Sequence, residues 1–118
     1  MASENDPSST EVLSISSRRD GRRVVVELVG ELDLHGSDRL AVEVQQALSE
    51  PVEQLELDAT RLTFADSAGL RAVLMARTEA ESSGAVFRIV GVSAPVGRVI
   101  EIAGLADLLM PAGDGRAG

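Results

Sequence analysis

The stretch from Leu55 to Val90 constrains the fold more than any other part of the chain. Leu55 to Ala59 alternates Leu55 and Leu57 against Glu56 and Asp58, the two-residue period of a strand. A loop carries the chain to Ser67, where an apolar repeat of three and four begins with Leu70, Val73, Leu74 and Ala80 and predicts a helix to about Ser83. Arg71, Glu79 and Glu81 fall on its water side, and Gly84 is placed to stop it. Val86 to Val90 is again a strand. Two strands joined through a helix cannot close by a tight turn, so they need a crossover and lie parallel.

The rest of the chain extends that unit. Val12 to Ser17 and Arg22 to Val29 read as strands, with Arg19-Asp20-Gly21 as the turn of a hairpin and Gly30 as the end of the second strand. Ser37 is placed to cap a helix from Asp38 to about Ser49, with Leu40, Ala41, Val44, Ala47 and Leu48 as its stripe and Pro51 beyond its end. Ser93-Ala94-Pro95 opens a third helix with stripe Val96, Val99, Ile100 and Ala103, and Gly104 stops it. Leu105 to Met110 reads as a short final turn or helix. The predicted order is β-β-α-β-α-β-α: an α/β domain with a mixed sheet of four to five strands and helices packed on it. Residues 1–10, polar with four Ser/Thr, read as a disordered leader; 11–111 as the folded domain; 112–118 as a flexible tail.

Composition narrows the chemistry. Among 118 residues there is no cysteine, and His35 is the single histidine, so thiolate chemistry and a His-rich metal centre are excluded. The expectation is a chain with no metal and no cofactor. The core must be aliphatic, because Phe64 and Phe87 are the only aromatic residues. A formal net charge of −8, with every basic residue an arginine, leaves no electrostatic footprint for nucleic acid. No apolar run approaches membrane-spanning length, and the first ten residues contain no signal-peptide core, which makes a cytoplasmic location the expectation.

Phe64-Ala65-Asp66-Ser67-Ala68-Gly69-Leu70 is the segment with chemical potential. It sets a hydroxyl beside a carboxylate at the expected start of a helix, where backbone N–H groups lack partners. Ser67 is there either a helix cap or a chemical target, or both. Asp66 either orients that hydroxyl and meets a partner or is an ordinary loop carboxylate. Gly69 suits a close backbone approach or is merely tolerated in the first turn. Asp33 is a partner-facing carboxylate or a turn residue, and His35 reads as a solvated loop residue. A hydrolase is not indicated: Asp66-Ser67-Ala68-Gly69 is not a Gly-x-Ser-x-Gly elbow, nothing places His35 beside Ser67, and no phosphate-cradling loop with lysine occurs.

Three segments together resemble the STAS domain of bacterial anti-sigma factor antagonists. Gly30-Glu31-Leu32-Asp33-Leu34 is similar to that family's turn after the second strand. Leu55-Glu56-Leu57-Asp58 followed by Phe64 to Leu70 is similar to its third strand and phosphorylated loop. Val96-Gly97-Arg98-Val99-Ile100-Glu101-Ile102-Ala103-Gly104-Leu105 is similar to its last helix. The resemblance spans roughly residues 11–110. It implies a non-enzymatic partner switch in transcription. The unmodified protein would bind an anti-sigma factor that is also a serine kinase of the histidine-kinase-like ATPase fold, freeing a sigma factor. Phosphorylation of Ser67 would end binding, and a serine phosphatase would restore it. The partner-binding face implied is Asp33, Asp66, Ser67, Ala68, Gly69, Leu70 and Arg71, with no nucleic acid and no membrane as partners. The family commonly has a second hydroxyl where this chain has Ala68, so one hydroxyl contact is lost. Two other readings fit the same fold: a nucleotide- or small-ligand-sensing module, and a subunit of a stress-signalling assembly.

Overall fold

The computed structural model describes residues 12–110; the leader expected over 1–10 and the tail expected over 112–118 lie outside the described residues. Strands β1 (Leu13–Asp20) and β2 (Arg23–Leu32) form an antiparallel hairpin closed at Asp20 and Arg23 by Gly21-Arg22. Helix α1 (Leu34–Ala47) then leads to β3 (Gln54–Ala65), α2 (Ser67–Ser82) to β4 (Val86–Val92), and the chain ends in α3 (Ala94–Ile102) and the short α4 (Ala106–Leu109). The sheet order is β1-β2-β3-β4, with β2, β3 and β4 mutually parallel, as the crossover argument requires.

Alternation decides which side of the sheet is covered. Val24, Val26 and Leu28 of β2 stand beside Leu55, Leu57 and Ala59 of β3, all buried, with α1 packed over β1 and β2 and α2 over β3 and β4. Leu40, Val44 and Ala47 of α1 and Leu70, Val73, Ala76 and Ala80 of α2 close the same core. It is aliphatic throughout its interior: Phe87 packs at its margin and Phe64 is exposed.

Several element boundaries differ from the sequence reading. Strand β2 does not stop at Gly30. It passes through an irregularity there, with Gly30 at φ 111°, where a Cβ would collide with the Val12 carbonyl oxygen, and continues to Leu32. Helix α1 begins four residues earlier than expected, because Asp33 rather than Ser37 is its cap; Ser37 lies inside the first turn. The loop expected after Ala59 is absent: β3 continues to Ala65, because Arg61, Leu62, Phe64 and Ala65 stay paired with β2 after β4 has ended. Glu56, which alternates with Leu55 and Leu57, is buried like them, at 4% exposed. Its carboxylate accepts Arg23 Nη2 at 2.8 Å and Gln54 Nε2 at 3.0 Å, and hydrogen bonding to Glu56 raises the Arg23 guanidinium above its ordinary value. Ala41 and Val99, placed on the helix stripes by spacing, are exposed. The cap at Ser93 and the stop at Gly104 stand as read.

Candidate functional site

The extra length of β2 and β3 builds the site. The two strands end side by side, Leu32 paired with Ala65, and each passes through a single residue into a helix. Both of those residues are aspartates. Asp33 Oδ1 accepts the Gly36 N–H at 3.0 Å, and Asp66 Oδ1 accepts the Gly69 N–H at 2.8 Å. Two Asp-x-x-Gly junctions thus set the N-termini of α1 and α2 next to each other at the carboxyl edge of the parallel strands. The junctions are tied together: the Asp66 N–H donates to the Leu32 carbonyl at 3.3 Å, and Ser37 Oγ lies 3.0 Å from the carbonyls of both Asp33 and Ala68.

Ser67 is the first helical residue of α2, not its cap. Its side chain is exposed, and among the described residues its hydroxyl has no hydrogen-bond partner. The capping role that position allowed it belongs to Asp66 instead, because a carboxylate one residue earlier reaches the third N–H of the helix. Asp33 is likewise a cap, half-buried, rather than a free carboxylate in a turn.

The other residues read from sequence fall into two groups. Gly69 and Leu70 are buried. A Cβ on Gly69 would collide with the Leu32 carbonyl oxygen, so the glycine serves the close approach of α2 to the end of β2. Ala68 is half-buried and offers its carbonyl to Ser37, while Arg71 is exposed. His35, in the first turn of α1, is exposed.

Between α1 and α2 a groove of about 390 Å³ opens beside Ser67, its walls including Ser37, Asp38, Ser67, Arg71, Met75 and Glu79. Ala41, Ala72 and Ala76 give it depth because their side chains are short. Leu34 and Met75, which line it, are 66% and 55% exposed, and Phe64 just before the junction is 47% exposed. Sequence reasoning missed these apolar side chains and the Ser37 bridge. A signal existed for two of them: Leu34 and Met75 fall outside the buried stripes of their helices, and Met75 continues the four-residue line Ser67, Arg71, Met75, Glu79. Exposed large apolar residues around a polar centre have the composition of an interface core. Among the described residues no cluster of His, Asp and Glu is arranged to hold a metal, and no helix is long and apolar enough to cross a membrane.

The β2 and β3 strands run parallel and lead through Asp33 and Asp66 into α1 and α2, with Ser67 exposed at the start of α2, and comparisons with known proteins give the family to which this fold belongs. The family described as Mlab, STAS domain matches residues 15–111. The chain belongs to the STAS domain family. An anti-sigma F factor antagonist from Paenibacillus polymyxa is 30% identical over 87 residues, 73% of this chain and 74% of that protein. Among solved structures, the unphosphorylated anti-sigma factor antagonist SpoIIAA is similar with a TM-score of 0.72 and 27% identity, over 82% of this chain and 86% of that one. The phosphorylated form of the Bacillus cell fate determinant SpoIIAA follows with a TM-score of 0.65 and 26% identity, over 82% and 89%. An anti-sigma factor antagonist from Mycobacterium paratuberculosis, 18% identical with a TM-score of 0.72 over 83% of each chain, shares the fold. This STAS domain is therefore homologous to anti-sigma factor antagonists.

Proposed function

We propose that the protein is an anti-sigma factor antagonist of the partner-switching kind, with Ser67 as the residue that carries the switch. The observation that carries this reading is the unengaged hydroxyl: Ser67 stands exposed at the first position of α2 while Asp66 does the capping. Modification at Ser67 removes no bond on which the fold depends. In the unmodified state the surface around Ser67 binds an anti-sigma factor with serine kinase activity, and the sigma factor is released. The partner-binding face comprises Asp33, Asp66, Ser67, Ala68 and Arg71, with Gly69 and Leu70 beneath it holding α2 in place.

The kinase transfers the terminal phosphoryl group of ATP. A bond forms between Ser67 Oγ and phosphorus as the bond to ADP breaks, and the hydroxyl proton passes to a base on the kinase. The product carries about −1.5 to −2 charges. A helix N-terminus accommodates them, so the domain stays folded, whereas a desolvated interface does not, so the complex separates. A serine phosphatase resets the protein. The chain has no catalytic role of its own in this cycle, which takes place in the cytoplasm.

The test is mass spectrometry of the protein after incubation with ATP and the anti-sigma kinase of its own genome. One phosphate on Ser67, with loss of the complex on a sizing column, is expected. Phosphate confined to another residue, or a complex that survives modification of Ser67, would end the proposal. The groove between α1 and α2 is of ligand-pocket size, which favours nucleotide or small-ligand sensing as the second reading. A rise in melting temperature with nucleotide that Ala72→Trp abolishes would support it.

A further inference from the structure

Arg71 stands four residues after Ser67, one turn along α2, and both side chains are exposed and line the same groove. Residues at that spacing are neighbours on a helix surface, with about 5–6 Å between their Cβ atoms. Among the described residues Arg71 makes no hydrogen bond or ion pair, whereas Arg77, further along the helix, is paired with Glu81 at 3.4 Å. The other charges lining the groove are Asp38 of α1 and Glu79 of α2, and the Asp66 carboxylate beside Ser67 is bound to the Gly69 N–H. Glu79 lies three turns further along α2, about 18 Å by helical rise, so of the charges on its own helix a phosphate on Ser67 has the Arg71 guanidinium at helical contact distance, with the Asp66 carboxylate next to it in the chain.

We propose that Arg71 is the intramolecular receptor for a phosphate on Ser67. The order along the helix suits it: anion first and cation one turn later is the favoured sense for such pairs, and the anion stands at the helix N-terminus where the dipole favours it. A guanidinium can meet two phosphate oxygens at once, a geometry that a lysine cannot match. The inference rests on the reading of Ser67 as phosphoacceptor and adds how the mark acts. In the unmodified protein Arg71 is available to an acidic group of the partner. In the phosphorylated protein it is occupied from within. The groove mouth then changes from mixed charge to anionic, and the partner loses a docking cation as it meets a new repulsion.

The experiment installs phosphoserine at position 67 by nonsense suppression, so that no kinase is needed. Phosphorus NMR then follows the second ionisation of the phosphate, about 6 for an unassisted phosphoserine, in the otherwise wild-type protein, in Arg71→Gln and in Arg71→Lys. Asp38, Asp66 and Glu79 are common to all three proteins, so the difference between them isolates position 71. An ion pair favours the doubly charged phosphate. The midpoint with Arg71 is expected to lie below that of Arg71→Gln by about half a unit, the size an exposed pair supports, and Arg71→Lys should recover part of the shift. The Arg71 side-chain N–H resonance should move on phosphorylation while that of Arg77 stays. The midpoint decides: equal values with arginine and glutamine at position 71 overturn the pairing. Failure of a cognate kinase to modify Ser67, with the midpoints still separated, would instead remove the switch and leave the pairing standing, so the two failures are distinguishable.

Discussion

At the scale of single residues, the division of labour between Asp66 and Ser67 governs what substitutions do. Asp66→Ala removes the cap of α2 and is expected to cost about 0.5–2 kcal/mol in urea unfolding. Ser67→Ala removes an exposed hydroxyl without a partner and is expected to stay within about 0.5 kcal/mol of wild type. The two unfolding curves, measured side by side, check the assignment, and a larger loss from Ser67→Ala would restore the serine as the cap. Under the proposed function Ser67→Ala would also hold the partner permanently, since it cannot be modified. The sequence located this pair to within one residue and left the cap ambiguous, because serine and aspartate are about equally good caps and differ here only in which one precedes the first helical residue. Gly69 was legible as a special position. Its reason was not, because the Leu32 carbonyl it must clear belongs to a strand more than thirty residues earlier.

At the scale of elements, the two βα junctions act as one structure. Asp33→Ala breaks the α1 cap and, through the partner face to which we assign it, should weaken binding as well. Loss of a cap alone predicts about 0.5–2 kcal/mol of stability, so calorimetric titration must be carried out below the onset of unfolding to read the binding effect separately. An affinity unchanged from wild type would take Asp33 out of the interface. Ser37→Ala severs the hydroxyl bridge to the Ala68 carbonyl, and hydrogen exchange in the first turn of α2 should quicken more than exchange near Ala80. Here sequence periodicity was a poor guide. Spacing starts the helix at 34–47 only at Asp38, because the apolar stripe begins at Leu40 and Leu34 to Ser37 adds nothing to that stripe. Alternation ends strand β3 at Ala59, because Thr60, Arg61, Thr63 and Phe64 are exposed once β4 has ended. In both cases hydrogen bonds to a distant strand or to a cap, together with isolated buried residues (Leu62 and Ala65 in β3, Gly36 in α1) that make no local period, hold the segment in place.

At the scale of the whole molecule, the topology was legible almost completely, because strand and helix periods alternate cleanly and a crossover permits little else. The buried Glu56 was not: nothing local to Leu55-Glu56-Leu57 announces that Arg23 and Gln54 will meet its carboxylate. Glu56→Ala is expected to lower the melting temperature more than Glu53→Ala, whose carboxylate pairs with Arg22 at the exposed surface. Ser67→Asp should melt like wild type, since a carboxylate suits a helix N-terminus, and under the proposed function should bind the partner only weakly, carrying about half the charge of a phosphate. Circular dichroism together with a pull-down measures both at once, and a variant that either unfolds or binds normally contradicts the scheme. The single-residue junctions at Asp33 and Asp66 carry a last implication. With one residue between strand and helix there is no hinge to swing, so the serine is fixed to the sheet as firmly as the core beneath it. Under the proposed function, the regulatory state would then lie in the covalent mark and not in the shape of the backbone. Erasing the mark should return it to readiness at once, with no relaxation lag and no hysteresis, and the tempo of the circuit would then belong to the enzymes that write and erase.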